Sequence, residues 1–209
     1  MQNKTTHYQI ILDSSGSMSD CRHATINTFN EHLQSIKAIQ REFPDQNIRI
    51  SLTNFSHEVK EVFVDRVTSE VNMLNDENYK TDGSTKLLDA IGKCIQRMEF
   101  VHGQDIAQDK ASVVFLILTD GEENASTIFN YHQVAGMIER LQATGKWAFT
   151  FLGADVDLNR MGDMLRIRAS HRKSFSKTNM SENMASYAAD MRDYMHSKRV
   201  GGTNFNLSE

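Results

Sequence analysis

Residues 8–17 read Tyr8-Gln9-Ile10-Ile11-Leu12-Asp13-Ser14-Ser15-Gly16-Ser17. The run over 8–12 has the character of a buried strand, and it stops abruptly in an acid and two hydroxyls at alternate positions. One carboxylate and two hydroxyl oxygens where a strand leaves the core are donors that suit a hard divalent cation. Farther on, Val113-Val114-Phe115-Leu116-Ile117-Leu118 is apolar without interruption and again ends in an acid, Thr119-Asp120-Gly121. Such unbroken runs belong in the middle of a parallel sheet, where helices cover both faces.

Strand-like and helix-like segments alternate outward from these two. Ile26, Phe29, Leu33, Ile36 and Phe43 recur at helical spacing through 20–42, and Pro44 ends the helix. Ile48, Ile50 and Leu52 alternate through 48–55. After Ser56-His57, the residues Val59, Val62, Phe63 and Val64 follow so closely that the spacing predicts a hairpin, hence one antiparallel strand. Residues 65–83 are polar and turn-rich. Leu87, Leu88, Ile91, Ile95 and Met98 then share a helical face.

Ile128, Tyr131, Val134, Ile138 and Leu141 form another helical stripe, stopped by Gly145, before a strand over 147–152. A short helix is expected within 156–166 and an edge strand near 171–175. Asn179 and Glu182 fit the capped start of a last helix lined by Met180, Met184, Tyr187, Met191 and Tyr194. Methionine commonly fills irregular cores, so this stripe reads as core packing. From Lys198 onward, with Gly201-Gly202, the tail is expected to fray.

The alternation implies a three-layer α/β fold. Its central sheet of about six strands is mostly parallel, with one antiparallel strand and helices on both faces. One domain over 1–197 and a flexible tail over 198–209 follow. In such sheets ligands sit at the carboxyl ends of strands where the winding reverses, the places occupied by Asp13 and Asp120.

Composition narrows the function. The 209 residues suffice for one sizeable core, and the net charge of −4 with 24% charged residues gives nucleic-acid binding no support. No stretch approaches membrane-spanning length, and the polar start Met1–His7 lacks a signal region. An intracellular, cytoplasmic protein is expected. Cys21 and Cys94 lie far apart and make no metal-ligand spacing; a disulfide is not expected. His7, His23, His32, His57, His102, His132, His171 and His196 are dispersed without ligand spacing, so structural roles are expected of them. Cys94 should be a buried small hydrophobe, whereas Cys21 and His23 fall next to the oxygen-rich loop and could line a partner surface.

Three segments stand out: Asp13-x-Ser15-x-Ser17, Gly83-Ser84-Thr85 before a helix, and Thr119-Asp120-Gly121 after a buried strand. Their order, spacing and flanking elements resemble the von Willebrand factor A family, which includes integrin inserted domains, over about residues 6–197. The resemblance implies a Rossmann-like fold with a metal-ion-dependent adhesion site at the top of the sheet. It implies that Ser15 and Ser17 coordinate the metal through their hydroxyls, and that Thr85 does so directly or through water. Asp13 and Asp120 would act mostly through water or hydrogen bonds. Intracellular members often work beside AAA+ ATPases or in multi-protein complexes. In members studied for adhesion, the last helix moves when the metal shell changes.

Elementary chemistry leads the same way. Two carboxylates and three neutral hydroxyls make an octahedral oxygen site short of charge and of one ligand, which suits Mg²⁺ and also Mn²⁺. An Asp or Glu of a partner protein can complete it, so a non-enzymatic, metal-dependent binding module is expected. Gly16 and Gly83 would let the backbone approach the ion. Asp20, Glu122 and Glu123 read as rim charges. A strand ending in Asp, a later hydroxyl and a second strand ending in Asp also describe Mg²⁺-dependent phosphatases of the haloacid dehalogenase type. Those need an acid two residues after the nucleophilic Asp, where Ser15 stands here.

Overall fold

The computed structural model describes residues 4–154, 157–175 and 180–199, together with Phe205. The strands are β1 (Thr5–Asp13), β2 (Asn47–Phe55), β3 (Val59–Val67), β4 (Ala111–Thr119), β5 (Trp147–Ala154) and β6 (Arg172–Phe175). The helices are α1 (Arg22–Glu42), α2 (Leu87–Ala107), α3 (Tyr131–Gln142), α4 (Leu158–Met164) and α5 (Met180–Arg199). One six-stranded sheet results, in the order β3-β2-β1-β4-β5-β6. Every neighbouring pair is parallel except β2 and β3. This is the Rossmann-like α/β fold with one antiparallel strand that the sequence implies.

The chain winds outward from β1 through β2 to β3, then returns to β4 and winds the other way. The reversal therefore lies between β1 and β4, and a crevice opens beyond their carboxyl ends. Side-chain alternation along β1 divides the core. Tyr8, Ile10 and Leu12 pack with Phe29, Leu33 and Ile36 of α1 and with Tyr187 and Met191 of α5. Ile11 faces the other layer, where Phe115 and Ile117 meet Ile91, Ile95 and Val134 of α2 and α3. All nine residues of β4 are buried, as a doubly covered strand requires.

Several expectations are corrected. The polar segment from 65 onward is partly strand, because β3 continues to Val67. Ile128 precedes α3 and is exposed; the helix begins at Tyr131, after a capping box in which Asn130 and Gln133 exchange bonds. Cys21 is buried, so it does not line a surface, and neither cysteine is in a disulfide. Of the expected tail, Lys198 and Arg199 belong to α5, the Lys198 ammonium donates to Thr6 Oγ1 (2.7 Å) and Ser112 Oγ (3.1 Å), and Phe205 is buried against Tyr187 and Tyr194; residues 200–204 and 206–209 lie outside the described residues. Asn179 lies outside the described residues, as do the side chains of Met180 and Glu182. Met184 and Met191 are core, as the stripe suggests. Among the described residues, no helix is long and apolar enough to cross a membrane.

His32 is buried on α1 against Tyr187 of α5, with Nε2 2.7 Å from the Tyr8 hydroxyl. Burial holds its imidazole down to about 4. From about pH 6.5 to about 4 the unfolded chain therefore takes up a proton that the folded chain refuses, and stability falls as pH drops through that window. In urea unfolding at about pH 7 and about pH 4.5, His32→Gln should lose less stability than the wild type. An equal loss would contradict a buried neutral imidazole.

Candidate metal centre

The end of β1 delivers Asp13 into the crevice with no solvent exposure. The Ser15 amide donates to Asp13 Oδ1 (2.7 Å), and the Thr119 hydroxyl at the end of β4 donates to Oδ2 (2.5 Å). One carboxylate thus joins the two strands that flank the reversal. Burial pushes the Asp13 carboxyl up to about 6; the hydrogen bonds from Thr119 and Ser15 oppose this, and the nearby Asp120 adds to it. The buried Tyr79 hydroxyl donates to the Asp13 carbonyl (2.6 Å). Ser14 fixes the next peptide by donating both its amide (2.7 Å) and its hydroxyl (3.0 Å) to the Phe55 carbonyl.

Beyond Asp13 the chain turns into a 3-10 segment, Gly16–Cys21. Ser15 Oγ and Ser17 Oγ stand 3.1 Å apart, and the Ser17 hydroxyl donates to Asp120 Oδ1 (2.6 Å). Ser15 is buried, whereas Ser17 is exposed at the mouth of the crevice. A Cβ added to Gly121 would lie 3.4 Å from Ser17 Oγ, 3.4 Å from Thr85 Oγ1 and 3.8 Å from Asp13 Oδ2. Oxygens of three separate segments therefore surround one small space, kept open by a glycine.

Thr85 reaches this point because its loop is stitched to its neighbours. Gly16 N donates to the Gly83 carbonyl (3.0 Å), Asp82 N to Ser14 O (2.9 Å) and Lys86 N to Ser56 O (3.0 Å). Gly83 has φ +72°, and a Cβ there would come within 2.5 Å of His57 Nδ1, so conformation and space both require glycine. From the other side, Asn124 Oδ1 accepts the Thr85 amide (2.9 Å), while Asn124 N donates to Thr85 O (3.1 Å).

The 121–130 loop is itself clamped to the start of α2. Glu123 accepts from the amides of Leu88, Ala125 and Ser126 and from the Ser126 hydroxyl, at 2.7–2.9 Å. Its expected role as a rim charge is therefore corrected to that of a structural acceptor. Glu122 is exposed, 3.8 Å from Arg160, as a rim charge should be. Buried Asp89 accepts the amides of Thr127 (3.1 Å), Ile128 (2.9 Å) and Phe129 (3.0 Å). Burial works against its charge, yet these amides hold the carboxyl below its usual range.

All five residues singled out in the sequence, Asp13, Ser15, Ser17, Thr85 and Asp120, thus meet at one end of the sheet. Their donor atoms are all oxygen and suit a hard divalent cation. Tyr79, Asp89, Glu123 and Asn124, which hold the site in place, were not legible as such. Asp89 alone left a trace, as an acid in the first turn of a helix.

The family model of the von Willebrand factor type A domain matches residues 9–189. The chain belongs to this family. Among curated proteins, none matches the sequence. Solved structures share its fold at low identity. A von Willebrand factor type A protein from Catenulispora acidiphila is 13% identical over 91% of this chain and 43% of its own, with a TM-score of 0.59. Proximal thread matrix protein 1 from the mussel byssus, with zinc occupied MIDAS motif, is 14% identical over 92% of this chain and 47% of its own, also with a TM-score of 0.59. Manganese-loaded Plasmodium vivax TRAP protein is 12% identical over 90% of this chain and 74% of its own, with a TM-score of 0.53. This chain spans less than half the length of the first two.

The loop clamps carry measurable energy. Asp89→Ala orphans three amides and should destabilise the domain by about 3 kcal/mol or more, against about 1 kcal/mol for Asn124→Ala. Urea unfolding at neutral pH distinguishes them; equal costs would show that Asp89 does not anchor the loop.

Proposed function

We propose that this domain is a non-enzymatic protein-interaction module that uses a divalent cation to capture an Asp or Glu side chain of a partner protein. The observation that carries this reading is the convergence of Ser17 Oγ, Thr85 Oγ1 and Asp13 Oδ2 on the space beside Gly121. Ser15, Ser17 and Thr85 would hold the cation through their hydroxyls, with Asp13 and Asp120 acting through water and hydrogen bonds. Mg²⁺ suits this all-oxygen set, and Mn²⁺ fits it equally. When bound, the cation supplies Lewis acidity toward an incoming carboxylate.

The chain's own residues do the positioning. Asp13 fixes the Ser15 peptide, Asp120 orients the Ser17 hydroxyl, and Asn124 holds the Thr85 backbone. Three neutral hydroxyls donate little charge, so the partner's carboxylate supplies what the set lacks. Family resemblance suggests an AAA+ ATPase or another member of a multi-protein complex as the partner, in the cytoplasm. Zinc in the byssus protein and manganese in the Plasmodium protein are consistent with a divalent cation in this fold.

The phosphoryl-transfer alternative gains no support. Where it needs a proton-donating acid, Ser15 is buried, with its amide on Asp13 and its hydroxyl beside Ser17.

A cation at about ten times its dissociation constant adds about 1.4 kcal/mol to the folded state. For a domain of this size that raises Tm by about 3–6 °C. Mg²⁺ or Mn²⁺ should produce this shift in the wild type and not in Asp13→Ala or Ser17→Ala. Affinity capture with wild-type protein should retain a partner in Mg²⁺ and release it in chelator. A melting curve unmoved by millimolar metal would overturn the proposal.

A further inference from the structure

At the opposite end of the sheet from Asp13, three side chains that sequence spacing does not connect come together. His7 near the start of β1, Asp65 in β3 and His102 in α2 present ligand atoms within 4.8 Å of one another. His7 Nδ1 lies 3.1 Å from Asp65 Oδ1, and His102 Nε2 lies 3.7 Å from the same oxygen. The two imidazoles stack, with centroids 3.7 Å apart. His102 Nε2 is shielded from solvent and makes no hydrogen bond.

The backbone is shaped to bring Asp65 there. Ile50 pairs with Arg66 and Leu52 with Phe63, so Val64 and Asp65 together oppose Ser51. This is a β-bulge, a device that re-aims a side chain. Asp65 has φ +50°, a conformation that L residues adopt at a cost, and its amide is held by Ser51 Oγ (2.9 Å). Arg49 donates to the Asp65 carbonyl and pairs through Nε with Asp65 Oδ2 (3.0 Å), leaving Oδ1 for the histidines.

We propose that His7 Nδ1, Asp65 Oδ1 and His102 Nε2 form a second metal site, for a borderline divalent cation of the Zn²⁺ class. Ligands about 2.0–2.1 Å from a tetrahedral ion stand about 3.3 Å apart. The two distances to Asp65 Oδ1, 3.1 and 3.7 Å, bracket that value. Two imidazoles and one carboxylate favour such an ion over Mg²⁺. The imidazoles are ready to ligate at neutral pH. Burial, then the neighbouring His102, lowers His7 to about 4 despite Asp65. Burial also lowers His102, against the pull of Asp65 and Asp105 and with help from Arg97 and Arg49. Arg49 plays the outer part usual for a ligating carboxylate, holding the oxygen that does not ligate in an ion pair. The groove beside the cluster, lined also by Thr5, Asp105 and Lys110, gives an ion access and leaves room for a water as fourth ligand.

Co²⁺ tests this with a readout specific to the proposed geometry, because four-coordinate Co²⁺ absorbs far more strongly in the visible than Co²⁺ in an octahedral oxygen site. Titration of the whole chain with Co²⁺ should develop that absorption, and added Zn²⁺ should remove it. His102→Gln and Asp65→Asn, each checked for folding by circular dichroism, should bind at least about tenfold more weakly. Ser17→Ala, altered at the other end of the sheet, should keep the band. Its absence from folded wild type, or its survival in both His102→Gln and Asp65→Asn, would overturn the second site. Loss of the band in Ser17→Ala alone would also do so, by assigning the ion to the Asp13 end.

Discussion

The carboxylate of Asp13, sealed from solvent at the end of the central strand, is the constraint around which this domain is organised. A buried charge costs several kcal/mol unless it is met by compensating partners. Here its hydrogen-bond partners are neutral: a peptide N–H from its own loop and a hydroxyl from the adjacent strand. They leave the carboxyl raised to about 6 rather than fully stabilised as an anion. A cation bound as proposed would offset that imbalance, so that one group would serve both the fold and the binding site. The loops that contribute Ser17, Thr85 and Asp120 are fastened to one another through backbone bonds, from Gly16 to Gly83 and from Asn124 to Thr85.

Much of this was legible in the chain. The unbroken apolar runs of β1 and β4 announce central parallel strands, and their terminal acids mark the reversal point, because burial and strand direction are written locally. Thr85 and Asp120 become meaningful together with Asp13 for the same reason. The clamps were far less legible, since Glu123 accepts the Leu88 amide and Asp89 the amides of 127–129 from distant parts of the chain, and apart from the place of Asp89 in the first turn of a helix nothing local distinguishes them from solvated acids. Ile128 misled because its helical spacing runs on past the Asn130 cap, where the backbone is already bound to Asp89.

The histidines show the converse limit. His7, Asp65 and His102 are separated by most of a hundred residues, and spacing rules for metal ligands cannot join them. A one-residue bulge in an antiparallel pair does so by turning Asp65 against the flank of α2. Opposite ends of one sheet thus carry two donor sets of different chemistry, hydroxyl and carboxylate oxygen at one and imidazole with carboxylate at the other. Such sets select different ions from the same solution.

The most direct measurement is the location of Mn²⁺ by anomalous X-ray scattering in crystals of the domain. An anomalous peak within coordination distance of the Ser15, Ser17 and Thr85 hydroxyls, beside Asp13 and Asp120, is the expected result. A well-ordered crevice in which those hydroxyls surround no peak at saturating Mn²⁺ would contradict the site.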